Sequence, residues 1–356
     1  MKISKRLLEF FTAVSLRNKE SKPMKKYNLA ILGATGAVGR EMLKVLAERD
    51  FPVGELKLLA SARRVGKEID FKGNIYKVEE ATKDSFNGID IVLGAASNAL
   101  AKELAPHIKA AGAVLVDNSS AFRMCDDVPL VIPEINPEDV KKHNGIISNP
   151  NCSTIITLTA VNALNKSSKI KSMIASTYQA VSGAGAGGPV ELLNQTEAIM
   201  KGEEVEHNVF AHQIAYNVIP KIGGVSYEGY TSEEMKMQNE GAKIMHIPEL
   251  KVSCTCIRVP VLRSHSISVL VRTEEPISVE KAKELIANAP GCRYVEDMDN
   301  EIYPMPLETS DQDIVFVGRI RPDLTDENGL HIWCCGDQVR KGAATNAIQI
   351  AELLIK

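Results

Sequence analysis

Residues 27–50, YNLAILGATGAVGREMLKVLAERD, decide the fold. Tyr27 to Leu32 read as a buried strand, and the chain then turns at once through Gly33, Gly36 and Gly39, spaced G-x-x-G-x-x-G. Glycines at these points allow a tight turn, close approach of backbone to a pyrophosphate, and close packing of a helix on a strand. Met42, Leu43, Val45 and Leu46 then give an apolar face at helical spacing. Free N–H groups at the start of such a helix suit phosphate oxygens. A tight strand-to-helix turn that holds no ligand would use similar glycines. The position after a strand, before a helix and at the head of a domain favours a dinucleotide site.

The pattern continues outward from there. A second strand, Leu56 to Ala60, ends in SARRVGK. An NAD site expects an acidic residue at about this distance, to hold the ribose hydroxyl. Ser61, Arg63 and Arg64 stand there instead, and arginine matches a phosphate with two prongs, which points to NADP. A solvated basic loop is the plainer alternative. Strands at Ile75–Val78, Ile89–Ala96 and Val114–Val116, with a helix at Ala99–Ala111, extend the alternation. It predicts a Rossmann-type doubly wound parallel sheet, whose ligands lie beyond the carboxyl ends of the strands.

A second stretch, IISNPNCSTIITLTAV from Ile146, carries the chemistry. Ile146 and Ile147 end a strand, Asn149, Pro150 and Asn151 force a turn, and Ser153 and Thr154 suit a helix start. Cys152 is thus expected at a helix mouth, where the dipole favours thiolate. Taken alone, it reads equally well as a small buried apolar residue. Gly33, Ser97, Asn118, Arg123 and Cys152 all fall at or just after strand ends, which favours a nucleophile.

After Asn165 longer strands with partial alternation are expected at Ile174–Tyr178, Val252–Val259 and Ser266–Arg272, as in an antiparallel sheet. Helices are expected at Pro189–Met200, Ser232–Met245 and Val279–Ala289. The loop Gln179–Gly188 reads as too glycine-rich to pack and so as a ligand neighbour. A closing strand and helix are expected to return to the first domain. The domains are therefore a basic extension at 1–26, an NADP-binding domain at 27–151 completed by about 337–356, and an α+β catalytic and dimerisation domain at 152–336.

With 356 residues and a net charge of −3, the chain can form two cores and implies no polyanion partner such as nucleic acid. No apolar run is long enough for a membrane span. Seven cysteines without a CxxC pair favour a reduced, cytoplasmic setting and give no convincing metal site. Residues 1–26 are basic and lack a secretory pattern. They read as an appendage before a start at Met24, with a transit segment as the alternative.

From Leu29 to Lys356 the sequence resembles the aspartate-semialdehyde dehydrogenase family. The resemblance rests on GATGAVG from Gly33, SARRVGK from Ser61, DNSSAFR from Asp117, SNPNCST from Ser148, YQAVSGAG from Tyr178, EEMK from Glu233, RVPVLRSHS from Arg258 and DQVRKGAATNA from Asp337, in family order. It implies reduction of β-aspartyl phosphate to aspartate semialdehyde with NADPH, in lysine, threonine and methionine biosynthesis. It further implies Cys152 as nucleophile, His265 as acid–base group and Gln179 as the group orienting the substrate. Arg258 would grip the α-carboxylate, Glu233 face the amino group, and Arg123, Asn151 and Lys236 hold the phosphate. Cofactor contacts would come from Gly33, Thr35, Gly36, Ala37, Val38, Ser61, Arg63, Arg64, Ser97, Ser182, Gly183 and Gln338. At Gln338 the family more often has asparagine. A homodimer is usual in the family, with a tetramer left open. Two rivals stand beside this: a sister acyl-phosphate reductase of the N-acetyl-glutamyl-phosphate or glyceraldehyde-phosphate type, and a non-catalytic NADP sensor.

Overall fold

The first half alternates strands and helices: β1 (Tyr27–Leu32), α1 (Ala37–Glu48), β2 (Val53–Ala60), β3 (Glu68–Phe71), β4 (Asn74–Glu80), β5 (Ile91–Gly94), α2 (Asn98–Ala110), β6 (Val114–Asp117) and β7 (Ile146–Ser148). The structure is a computed structural model and describes residues 25–356, so the basic extension read at 1–26 lies outside the described residues except for Lys25 and Lys26. The seven strands form one sheet in the order β3-β4-β2-β1-β5-β6-β7. Every pairing is parallel except the β3–β4 hairpin. Leu29 to Leu32 and Ile91 to Leu93 are buried without alternation, because helices cover both faces of the sheet. β2 and β5 flank β1 on opposite sides, so the strand order reverses there and opens a crevice at the carboxyl ends.

The second half runs α3 (Cys152–Ser167), β8 (Ile170–Gln179), α4 (Gly187–Lys201), β9 (Val225–Tyr227), β10 (Tyr230–Thr231), α5 (Ser232–Ile244), β11 (Lys251–Arg258), β12 (His265–Thr273), α6 (Val279–Ala287), β13 (Cys292–Tyr294), β14 (Val315–Pro322) and β15 (Gly329–Gly336). Six of these strands form a sheet in the order β11-β8-β12-β15-β14-β13. The sequence suggested an antiparallel sheet. Its three central pairings are antiparallel, but β11 joins β8 and β13 joins β14 in parallel. The helices between β8 and β11 bring the chain back in the same direction, which a tight turn cannot do. One face of the sheet packs Met173, Val269 and Ile332 against Leu158 of α3, Met237 of α5 and Ile286 of α6. The other face leaves Ile174 exposed.

A π-helical turn, Arg340–Ala344, leads into α7 (Thr345–Leu354). Ala347, Ile348 and Ala351 of α7 share a core with Leu29 and Ile31 of β1 and with Met42 and Leu46 of α1. Among the described residues no helix is long and apolar enough to cross a membrane.

Lys341, in the π turn, is fully buried. Its Nζ donates to Glu134 Oε2 (2.6 Å), Gln349 Oε1 (2.8 Å) and Asn346 Oδ1 (3.0 Å). Removing one partner of a buried pair strands the other charge. Lys341→Met should therefore lower unfolding stability in urea by about 3–5 kcal/mol, and adding Glu134→Leu should recover much of it. A loss below about 1 kcal/mol would show the pair to be solvated.

Candidate active site

Asn151 caps α3: its Oδ1 accepts from the N–H of Ser153 (3.0 Å) and Thr154 (3.2 Å). The helix thus starts one residue earlier than Ser153 and Thr154 suggest, and those residues supply the capped N–H groups. Cys152 is its first residue. Asn118, Arg123 and Cys152 line a cavity of about 190 Å³ together with Ala37, Val38, Ser182 and Gln338. The cavity therefore spans the start of α1, the ends of β6 and β7, and the loop after β8.

The helix mouth is not the only influence on the Cys152 thiol. Burial pushes the thiol up to about 11, with the Glu233 carboxylate adding to it. Lys236, Arg123 and Arg258 pull the other way but do not win. Burial opposes the helix dipole here, because it adds the cost of desolvating a charge.

Glu233, in the first turn of α5, accepts from Asn151 Nδ2 (2.9 Å) and Gln179 Nε2 (3.3 Å) through Oε1, and from Lys236 Nζ (2.7 Å) through Oε2. Burial alone would raise its carboxyl, but Lys236 and these hydrogen bonds hold it down at about 2. Gln179 ends β8, and its Oε1 accepts from Thr177 Oγ1 at 3.1 Å. Arg258 ends β11 in register with Gln179.

Ala180 ties two candidate groups together. Its carbonyl accepts from Arg258 Nη1 (2.6 Å), and its N–H donates to His265 Nδ1 (3.0 Å). With Nδ1 accepting, the neutral imidazole carries its proton on Nε2. Burial, followed by the Arg258 charge, lowers His265 to about 3, so the ring is neutral. Its Nε2 lies 3.4 Å from Gln179 Nε2. A Cβ at Gly183 would come within 2.8 Å of Arg258 Nη1 and 3.0 Å of His265 Cε1. The loop after β8 is packed only at its ends, where Ala180, Val181 and Gly188 are buried; Val181–Ala184 form a 3-10 turn, and Gly183 and Gly185 are exposed and line the cavity, as a ligand neighbour would. Gly183 and Gly188 answer to crowding, whereas Gly185 has open space around it and a φ of +87°.

On the other side of the cavity, Gly33 has φ of +91°, and a Cβ there would sit 2.4 Å from Ala95 O. A Cβ on Gly39 would sit 2.4 Å from Gly33 O. No side chain caps α1 at Gly36. The first N–H groups of α1 are thereby left for an outside acceptor, as a pyrophosphate requires, so these residues fit a dinucleotide. Thr35 lies in this turn, half-buried. Ser61, Arg63 and Arg64 are exposed in the turn after β2. Ser97 caps α2 through its hydroxyl, with Leu100 N at 3.4 Å. Gln338 donates to Ser182 Oγ and accepts from Ser264 N at 2.9 Å, next to His265.

Glu240 escaped the sequence reading. It is buried and bonds both Arg123 and Asn151. The available signal was its spacing: Glu233, Lys236 and Glu240 stand at i, i+3 and i+7 on one helix face.

The class that this fold and cavity define is a dinucleotide-dependent dehydrogenase with a cysteine at its centre. Residues 28–143 match the family model "Semialdehyde dehydrogenase, NAD binding domain", and residues 161–341 match "Semialdehyde dehydrogenase, dimerisation domain". Aspartate-semialdehyde dehydrogenase of Aquifex aeolicus is 52% identical over 334 residues, covering 93% of this chain and 98% of that one. The Bacillus subtilis enzyme of that name is 46% identical over 337 residues, covering 92% and 97%. A crystal structure of aspartate semialdehyde dehydrogenase II from Vibrio cholerae, complexed with ASA, superposes with a TM-score of 0.91 at 43% identity, covering 93% of this chain and 98% of that one. The chain belongs to the aspartate-semialdehyde dehydrogenase family.

Because the Cys152 thiol is raised above its ordinary range, more thiolate forms as pH rises toward 11. Its alkylation by iodoacetamide in the ligand-free protein should be slow at pH 7 and still climbing past the range of a free thiol, about 8.5. Glu233→Gln should move the midpoint down, since that carboxylate raises the thiol. A midpoint at or below about 8.5 in the wild type would show that the helix end outweighs burial.

Proposed function

We propose that this protein is the NADPH-dependent enzyme that reduces β-aspartyl phosphate to aspartate semialdehyde, in the branch leading to lysine, threonine and methionine. The observation that carries this reading is the charge arrangement around Cys152, in which Arg258 ends β11 in register with Gln179 of β8, and Glu233, on α5, accepts from that same glutamine. A substrate with an α-carboxylate and an α-ammonium needs such a fixed cation and anion. Cys152 Sγ bonds to the acyl carbon, the bond from that carbon to the phosphate oxygen breaks, and the thiol proton leaves with the phosphate. Arg123, Asn151 and Lys236 hold that phosphate, and Gln179 orients the acyl group. A bound nicotinamide supplies the hydride that reduces the thioester. His265, with Nδ1 occupied, exchanges protons only through Nε2. Release of the aldehyde returns a hydrogen to Cys152.

Gly33, Thr35, Gly36, Ala37, Val38, Ser97, Ser182, Gly183 and Gln338 would hold the dinucleotide, and Ser61, Arg63 and Arg64 the 2′-phosphate. We divide the chain into a cofactor domain at 27–151 with 337–356, and a catalytic and dimerisation domain at 152–336. The core that α7 shares with β1 supports the first part. The dimerisation match and the exposed Ile174, Val225 and Tyr227 support a homodimer, which sedimentation velocity separates from a tetramer. Seven cysteines outside any disulfide fit a reducing cytoplasm.

The assay is phosphate-dependent oxidation of aspartate semialdehyde with NADP. Wild-type protein should turn over this aldehyde with a far higher kcat/KM than N-acetylglutamate semialdehyde or glyceraldehyde 3-phosphate. An N-acetylated substrate offers Glu233 no ammonium and so forgoes that charge-assisted contact. Cys152→Ser should bind NADP and turn over nothing. Comparable turnover of the N-acetylated aldehyde, or an active serine variant, would reject the reading.

NADP should be preferred to NAD. Replacing Arg63 and Arg64 together with Ala should raise KM for NADP about tenfold or more, the loss expected of a charge-assisted contact, and leave NAD nearly unchanged. Equal changes for both cofactors would remove the arginines from the 2′-phosphate site.

A further inference from the structure

Glu240 sits in the third turn of α5 at 2% exposure. Each of its oxygens is used once. Oε1 accepts from Arg123 Nη1 at 2.9 Å, and Oε2 accepts from the N–H of Asn151 at 2.7 Å. The two partners come from different segments, the loop after β6 and the cap of α3.

The remaining bonds of Arg123 are equally fixed. Nε donates to Ser119 O at 3.1 Å, and Nη2 donates to Asn118 O at 2.9 Å. A guanidinium carries five N–H donors. Nε uses its one, and Nη1 and Nη2 use one each, so one hydrogen on each terminal nitrogen stays free. Those two belong to the side chain that lines the cavity with Cys152. A carboxylate beside a cation that meets an anion lowers the field at the anion. It must therefore contribute geometry. One turn further along α5, Lys243 donates to the carbonyls of Arg123 (2.9 Å), Cys125 (2.7 Å) and Val128 (2.9 Å), so the backbone of the same loop is anchored to the same helix.

We propose that Glu240 is a positioning residue for the phosphate-expelling step. It fixes the Arg123 fork in one plane, so that two free N–H donors face the phosphate, and through Asn151 it holds the start of α3 and Cys152 in the same frame. The inference rests on the reading above in which Arg123 meets the phosphate.

Phosphate-dependent oxidation of aspartate semialdehyde by the full chain tests it. Glu240→Gln keeps the volume but turns an amide N–H toward one of two donors. KM for phosphate should rise about tenfold or more, the scale of one lost charge-assisted bond, while KM for aspartate semialdehyde changes less than about twofold. Glu240→Asp, which keeps the charge but loses reach, should fall between Glu240→Gln and wild type, and it carries the comparison if Glu240→Gln is insoluble. Combined with Arg123→Ala, Glu240→Gln should add little to the phosphate effect, because the two act through one contact. A lower melting temperature with an unchanged KM for phosphate, or an equal rise in both KM values, would reduce Glu240 to a structural residue. Inactive wild-type protein would overturn the functional reading and this inference with it. Active wild-type protein with an unmoved phosphate KM would overturn the inference alone.

Discussion

Asn149, fully buried just after β7, holds together segments from distant parts of the chain. Its Nδ2 donates to Asn118 Oδ1 (2.6 Å) and Ala343 O (3.1 Å), its Oδ1 accepts from Asn346 Nδ2 (2.7 Å), and its N–H donates to Asp117 O (2.7 Å). Asn346 in turn accepts from Lys341. A polar chain in so dry a place is tolerable because its members are bonded, and that condition also makes it rigid. The turn that delivers Cys152 is pinned from behind by these bonds. The π turn they anchor presses close: a Cβ on Gly342 would lie 2.9 Å from Cys152 Cβ. Extra residues in a helical turn commonly serve such sites, by moving backbone where a regular helix would not reach.

The same economy governs the charges. Arg263 donates to Asp337 (2.6 Å) and Glu41 (3.1 Å), and Arg340 donates to Glu41 (3.1 Å). Glu41 lies on α1, Arg263 stands two residues before His265, and Asp337 precedes Gln338. This network links the helix that fits the dinucleotide to the strand that carries the imidazole. A shift of α1 would have to move or break buried ion pairs, and breaking them is expensive. Positions on the two sides of the cavity are thus held in one frame by electrostatics as well as by packing.

How much of this was legible depends on the range of the interaction. The glycine turn and the parallel strands come from local pattern, and so does the turn before Cys152. Motif resemblance singled out His265, Arg258 and Glu233, and the fold brings them together around Ala180 and Gln179. The helix-end argument for Cys152 left out burial, because dipole arguments are local and burial is not. β3 went unread: its hairpin turns at Lys72 and Gly73, both at positive φ, and only the glycine advertises a turn. The contacts of Glu240 and Asn149 could not be read because their partners lie 31 to 197 residues away. The mixed sheet was misjudged for a similar reason. Alternation shows that one face is wet, but strand direction depends on what the connecting helices do.

The two protonation states at the centre constrain the chemistry further. Burial raises the thiol and lowers the imidazole, so both groups favour their neutral forms before substrate arrives. The cations that pull the thiol down, Lys236, Arg123 and Arg258, are the ones proposed to bind the anionic substrate. Once paired with substrate oxygens they have less field left for sulfur. In the reaction proposed above, the thiol proton leaves with the phosphate being expelled, so no resting thiolate is required. In that same reading the imidazole, protonated at Nε2, is a donor toward the acyl oxygen, where negative charge gathers as sulfur adds.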